Sequence, residues 1–143
     1  MLKRKKAKIE LQVGVKVLLK NTAGKYLLVC RSPKKYPESK AGWDIVGGRI
    51  IPGTPLLSNL KREVKEETGL NLIKIDKILS AQDILRVKGR HVVRITYLGR
   101  AKGKIKLDEE NLEYKWFSLK EMEKLPKKHL DRYFLKVLKD FKK

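Results

Sequence analysis

Between Gly47 and Leu70 the chain reads GGRIIPGTPLLSNLKREVKEETGL, and this stretch constrains the fold more than any other. At 3.6 residues per turn, a helix ending near Thr68 gathers Glu63, Glu66 and Glu67 into a sector of roughly 100°, beside an apolar stripe of Leu57, Leu60 and Val64. One face packs and the adjacent one is available for binding. Three carboxylates so close repel one another, and a hard, oxygen-liganded cation such as Mg²⁺ or Mn²⁺ relieves that repulsion. Gly69 suits the left-handed residue that closes many helices. Upstream, Gly47, Gly48 and Gly53 let the backbone bend sharply and approach phosphates closely. The competing reading is a solvated face on which Glu63 and Glu66 pair with Lys61, Arg62 or Lys65. The glycine loop directly before the helix favours binding.

The segment resembles the Nudix hydrolase family, whose box is G-x5-E-x7-R-E-U-x-E-E-x-G-U with U aliphatic. Gly48, Arg62, Glu63, Val64, Glu66, Glu67, Gly69 and Leu70 match at the required spacing. The likeness extends to the strand leading into Trp43-Asp44-Ile45-Val46-Gly47-Gly48 and to Glu113-Tyr114-Lys115-Trp116-Phe117, so it covers nearly the whole domain. Two positions depart. The first box glutamate falls at Thr54, and the acidic residue often found three positions earlier falls at Ile51. A threonine before Pro55 offers a helix cap instead.

The resemblance implies an α/β fold, a Nudix-type α/β/α sandwich with a mixed central sheet. It implies metal-dependent hydrolysis of a phosphoanhydride in a nucleoside diphosphate linked to another group, with Mg²⁺ or Mn²⁺ as cofactor. The MutT-like branch is most similar, which points to a nucleoside triphosphate cleaved to monophosphate and pyrophosphate. ADP-ribose, dinucleoside polyphosphates and RNA 5′ ends are the alternative substrates. Glu63, Glu66 and Glu67 would be metal ligands, one of them a possible general base, and Arg62 would orient a carboxylate. Glu113 is a further ligand or base, or else part of an ordinary acidic turn with Asp108, Glu109 and Glu110. Gly47, Gly48, Arg31 and Asp44 are the candidate substrate contacts. Trp43 belongs either to a base pocket or to the core. The alternative from another class is a catalytically impaired Nudix-fold module that binds RNA.

A chain of 143 residues fits one domain, here expected over 1–143 with a basic arm over about 1–8. Neither a signal peptide nor an apolar run long enough to span a membrane is expected, so a cytoplasmic location follows as the default; oligomeric state is not legible. Cys30 is the single cysteine, reads as a core thiol and excludes an internal disulfide.

Ile9, Leu11, Val13, Val15 and Val17 alternate as in a half-buried strand. A turn at 21–24 leads to a strand over 26–30, and 32–42 reads as a loop. Later strands are expected near 72–81, 91–100, 103–107 and 113–118, with turns at Lys88-Gly89 and Lys102-Gly103. Ser118 and Glu121 have capping-box spacing. A last helix carries a stripe of Leu130, Tyr133, Phe134, Val137, Leu138 and Phe141. His91 and His129 are separated and read as surface or packing residues.

Lys and Arg number 36 against 16 Asp and Glu, a net charge of +20. Such a field attracts polyanions, so the excess serves either the phosphorylated nucleotide and, without sequence preference, nucleic acid, or only a solvated surface that keeps the protein soluble. Lys3, Arg4, Lys5, Lys6 and Lys8 form the arm, and further lysines enrich the C-terminal helix. Few aromatics interleave with these runs, so no stacking platform for single strands is expected.

Overall fold

The structure is a computed structural model that describes residues 8–31 and 42–141. Most of the basic arm and of the 32–42 loop therefore lies outside the described residues, as do Lys142 and Lys143. The elements run β1 (Glu10–Lys20), β2 (Tyr26–Arg31), β3 (Trp43–Asp44), β4 (Val46–Arg49), α1 (Leu56–Thr68), β5 (Asn71–Ile84), β6 (Arg90–Lys102), β7 (Asn111–Phe117), α2 (Leu119–Lys124) and α3 (Arg132–Phe141).

The strands form one mixed seven-stranded sheet in the order β3-β2-β1-β6-β5, with β4 added to β1 and β7 to β2. β1 runs parallel to β6 from Glu10 opposite Arg90 to Lys20 opposite Arg100. The other pairs are antiparallel. Helices cover both faces. Val15, Val17, Leu27 and Val29 meet Leu60 and Val64 of α1 on one side. Leu18, Tyr26 and Leu28 meet Met122, Phe134, Val137 and Leu138 on the other. This is the expected α/β/α arrangement, and each fully buried aliphatic contributes about 1.5–3 kcal/mol.

Because both faces are covered, β1 is not half-buried: every residue from Gly14 to Leu19 is buried, Lys16 included. The strand alternates between two apolar layers rather than between core and water. α1 ends as expected, with Gly69 in the left-handed conformation. Its apolar stripe is Leu56, Leu60 and Val64; Leu57 is 44% exposed, one position round the first turn.

Thr54 does not cap α1. Pro55 occupies the N-cap without a side-chain bond, while the Thr54 hydroxyl donates to Ile51 O and accepts from Asn59 Nδ2.

The expected strand at 103–107 is absent. Lys106 N donates to Thr68 O at 2.8 Å and Asp108 N to Glu67 O at 3.3 Å, so the segment satisfies carbonyls that the end of α1 leaves unpaired. Ile105 and Leu107 pack on the core beneath. The Ser118–Glu121 capping box is present. α3 begins only at Arg132, and Leu130 forms an isolated bridge to Trp43. Tyr133 leaves the buried stripe and faces Arg86, Arg94 and Arg132, whose guanidinium carbons lie 5.3–5.6 Å from its ring centre. His91 pairs with Asp83 at 2.7 Å on the surface, His129 is exposed, and Cys30 is buried with its thiol pKa raised, chiefly by burial. No described helix is long and apolar enough to cross a membrane.

Candidate active site

Two glycines before α1 stand where an added Cβ would collide. Gly47 has φ 148°, and a Cβ there would lie 2.0 Å from Val15 O. A Cβ on Gly48 would lie 2.7 Å from the Glu63 carboxyl carbon. The absence of these side chains lets β4 lie against β1 and lets the Glu63 carboxylate rest on the backbone of the loop.

Arg62 holds that carboxylate. Its Nη1 donates to Glu63 Oε1 at 2.7 Å and to Glu66 Oε2 at 3.3 Å. Its Nη2 donates to Asn59 Oδ1 at 3.1 Å and to Arg49 O at 3.4 Å. Asn59 in turn accepts from Ile51 N at 2.9 Å and donates to Thr54 and to Pro55 O, tying the loop to the helix. The three glutamates differ in setting: Glu66 has a side chain 58% exposed, Glu63 is largely covered, and Glu67 is buried.

Glu67 carries the strongest signal. It is 2% exposed, and its Oε1 has no hydrogen-bond partner. Burial is the main cause that pushes its pKa up to about 8; Glu63 and Asp108 add to the rise, while Lys16 and Arg31 oppose it. A buried carboxylate with an unpartnered oxygen beside a second carboxylate is a fitting donor pair for a divalent cation. Glu66 would join by turning from Arg62. Among the described residues, no three acidic, histidine or cysteine side chains already converge tightly enough to enclose an ion.

From Glu63 a cleft of about 390 Å³ opens across β4, β1 and β6. Lys16 lies on its floor, 3% exposed, donating to Asp44 Oδ2 at 3.1 Å and to Ile45 O at 3.0 Å. Burial drives the Lys16 pKa down, against the pull of Asp44. Asp44 is held below its ordinary value, burial being outweighed by Lys16, Arg94, Arg31 and the Ile45 amide.

Arg31, Asp44, Gly47, Gly48 and Glu63 thus line one cleft, with Arg62 behind Glu63. Glu113 is not brought to its wall; it pairs across the strands with Cys30, while Glu110 lines the cleft. Trp43 is half-buried, edge-on to Phe117, in the core rather than in the cleft. Sequence reading missed Lys16, because a lysine in an alternating strand reads as solvated. It missed Asn59, for which no local signal exists. It also missed Arg90 and Arg94, whose i, i+4 spacing on one strand face was the available sign.

Fold and site together bring Glu63 of an acidic helix to a cleft rich in arginine, with Glu66 and Glu67 outside its lining. A model of the NUDIX domain matches residues 10–138, and the chain belongs to that family. Its fold is shared with solved MutT proteins. A MutT protein from Methanosarcina mazei is 27% identical, with a TM-score of 0.78 over 96% of both chains. A MutT Nudix hydrolase from Burkholderia pseudomallei shares the fold at 24% identity and a TM-score of 0.74, over 92% of this chain and 98% of that one. Human 8-oxo-dGDP phosphatase NUDT18 is 33% identical over 85 residues, 56% of this chain. The chain spans about a quarter of the length of the curated relatives it matches.

Proposed function

We propose that the chain hydrolyses a phosphoanhydride bond in a nucleoside diphosphate linked to another group, a nucleoside triphosphate giving monophosphate and pyrophosphate being the leading case. The observation that carries this reading is the unpartnered, buried oxygen of Glu67, close to Glu63, which itself lines a cleft rich in arginine. Its likeness to a MutT protein supports the triphosphate, and a relative named for 8-oxo-dGDP keeps diphosphates in view.

Glu63, Glu66 and Glu67 would hold Mg²⁺ or Mn²⁺, which when bound neutralises non-bridging phosphate oxygens and lowers the pKa of water. Arg62 fixes the rotamer of Glu63 through its 2.7 Å bond. Gly47 and Gly48 present backbone to the phosphates without side chains in the way. Arg31 and Lys16 supply positive charge on the cleft wall, and Asp44 holds Lys16 in place. Water adds to phosphorus, the bond to the bridging oxygen breaks, and the water's proton passes to a carboxylate of the helix, Glu113 lying outside the cleft. The positive field also supports salt-sensitive association with nucleic acid.

A panel of nucleoside di- and triphosphates, ADP-ribose and dinucleoside polyphosphates with Mg²⁺ or Mn²⁺, read by product analysis, tests the reading. Expected is a single pyrophosphohydrolytic cleavage that EDTA abolishes. A folded parent that turns over none of them, or turnover unchanged in Glu63→Gln and Glu67→Gln, would overturn it.

A further inference from the structure

The half of the cleft away from Glu63 is built from arginines that the hydrolytic scheme leaves without a task. Register places Gly14 of β1 directly between Arg49 of β4 and Arg94 of β6. Residues opposite one another in a sheet project to the same side, so the two guanidinium stems flank a position with no side chain. Arg90 projects to that side too, four residues before Arg94 and about 13 Å along the strand. Arg86 joins the same wall, stacked on Tyr133.

Among the described residues, the nearby acids are Asp44, which is paired with Lys16, Glu110, which also lines the cleft, Asp131 and Glu10. Asp131 lies 4.0 Å from Arg94, but its Oδ2 also accepts from the Tyr133 and Phe134 amides at the start of α3. Glu10 stands opposite Arg90 and accepts from Gln12 Nε2 at 2.6 Å. The guanidinium pKa values of Arg49 and Arg94 are lowered, by burial first and then, against the pull of nearby acids, by one or more neighbouring arginines. Like charges gathered in a concave wall stand at a cost that an anion removes, and guanidinium forks fit phosphate oxygens two at a time. Among the described residues, no aromatic side chain lines the cleft.

The geometry points to a second anion site, formed by Arg49, Arg90 and Arg94, that takes a phosphate group carried by the substrate outside its scissile diphosphate. A dinucleoside polyphosphate and the 5′ end of an RNA share this chemistry, since each continues into further phosphates where a simple nucleotide stops. The inference rests on the hydrolase reading for which bond is cut, but not for binding.

Equilibrium binding in EDTA, where no hydrolysis competes, separates the two. The probes are ADP, diadenosine tetraphosphate and a short 5′-triphosphorylated RNA, and the variants are Arg49→Gln/Arg90→Gln and, as a charge-matched control on α2, Lys120→Gln/Lys124→Gln. Arg94 is spared because it also contacts Asp131.

For the parent, at least one extended probe is expected to bind about tenfold or more tightly than ADP, the gain from one or two charge-assisted contacts. The arginine variant should close that gap to within about threefold, and the lysine control should keep it. Which extended probe shows the gap identifies the source of the phosphate. The inference is overturned if the parent shows no gap with either probe, if the arginine variant keeps the gap, or if the lysine control loses it equally. Persistence of the gap in a protein that hydrolyses nothing would sink the hydrolase reading alone.

Discussion

The Glu63 carboxylate occupies the space that a side chain on Gly48 would fill, 2.7 Å from an added Cβ. Gly48→Ala should therefore displace the acid that Arg62 holds while leaving the core of α1 in place. The expected result is a loss of turnover of about a hundredfold, as for a misplacement of about 1 Å, with a folded far-UV spectrum. Turnover within threefold of the parent would show that Glu63 need not sit there. Gly47→Ala should instead prevent stable folding, since its methyl would collide with the Val15 carbonyl, and a melting curve distinguishes the two cases.

Glu67 links stability to pH. Its proton is held more tightly in the folded state, near pKa 8, than at the ordinary 4.5 of the unfolded chain. The folded state thus binds more protons between those values, so stability in EDTA should fall as pH rises from about 4.5 and level off above about 8. Glu67→Gln should flatten this dependence without lowering the melting temperature at neutral pH. The same variant should lose about a hundredfold or more in turnover, as should Glu66→Gln. A parent whose melting temperature in EDTA rises across that range would contradict the assignment.

Lys16 and Asp44 form a buried pair, so removing either alone leaves an uncompensated charge. Asp44→Asn or Lys16→Met is expected to cost about 3–5 kcal/mol in urea unfolding. The double variant should cost much less than the sum, and additivity within 0.5 kcal/mol would argue against direct coupling.

Thr54 shares its hydroxyl with Asn59 and Ile51. Thr54→Glu keeps an acceptor for Asn59 and should retain or raise activity, whereas Thr54→Val should lose about 1 kcal/mol of stability. Abolished turnover in a folded Thr54→Glu protein would show that the hydroxyl itself is needed.

Binding to RNA or DNA is expected to weaken steeply with salt and to ignore sequence, because counterion release supplies the affinity. Fluorescence anisotropy across a salt series checks this. Charge reversal at Lys3, Lys5 and Lys6, or at Lys127 and Lys128, should lower both affinity and slope. No binding by the parent at low salt would confine the excess charge to small phosphorylated ligands or solubility.

What the sequence revealed was what lies close along the chain. The α1 helix, its glycine end, the three-glutamate sector and the capping box of α2 are set within one or two turns, and all were legible. The burial of Lys16 was not, because it depends on β4 and β6, which lie some thirty and eighty residues further on. The same long-range register assembles Arg49, Gly14 and Arg94. The extended, partly apolar run at 103–107 has the composition of a strand, yet its amides turn to the carbonyls of α1, a partner that periodicity does not report.

That strap carries a consequence for how such a chain can change over time. Lys106 and Asp108 serve the end of α1 through their backbone amides, so almost any residue can stand at 106, whereas Asp108 also accepts from Glu110 N and Asn111 Nδ2. Proline can stand at neither, since it has no N–H to offer. Nor can the segment gain or lose a residue without shifting the backbone of Glu67 itself. The middle of the stretch is free to drift in composition but bound in length, and a library randomised over 104–107, with Gly103 at φ 122° and Asp108 kept, should recover active members that avoid proline at 106 and vary where the core does not reach.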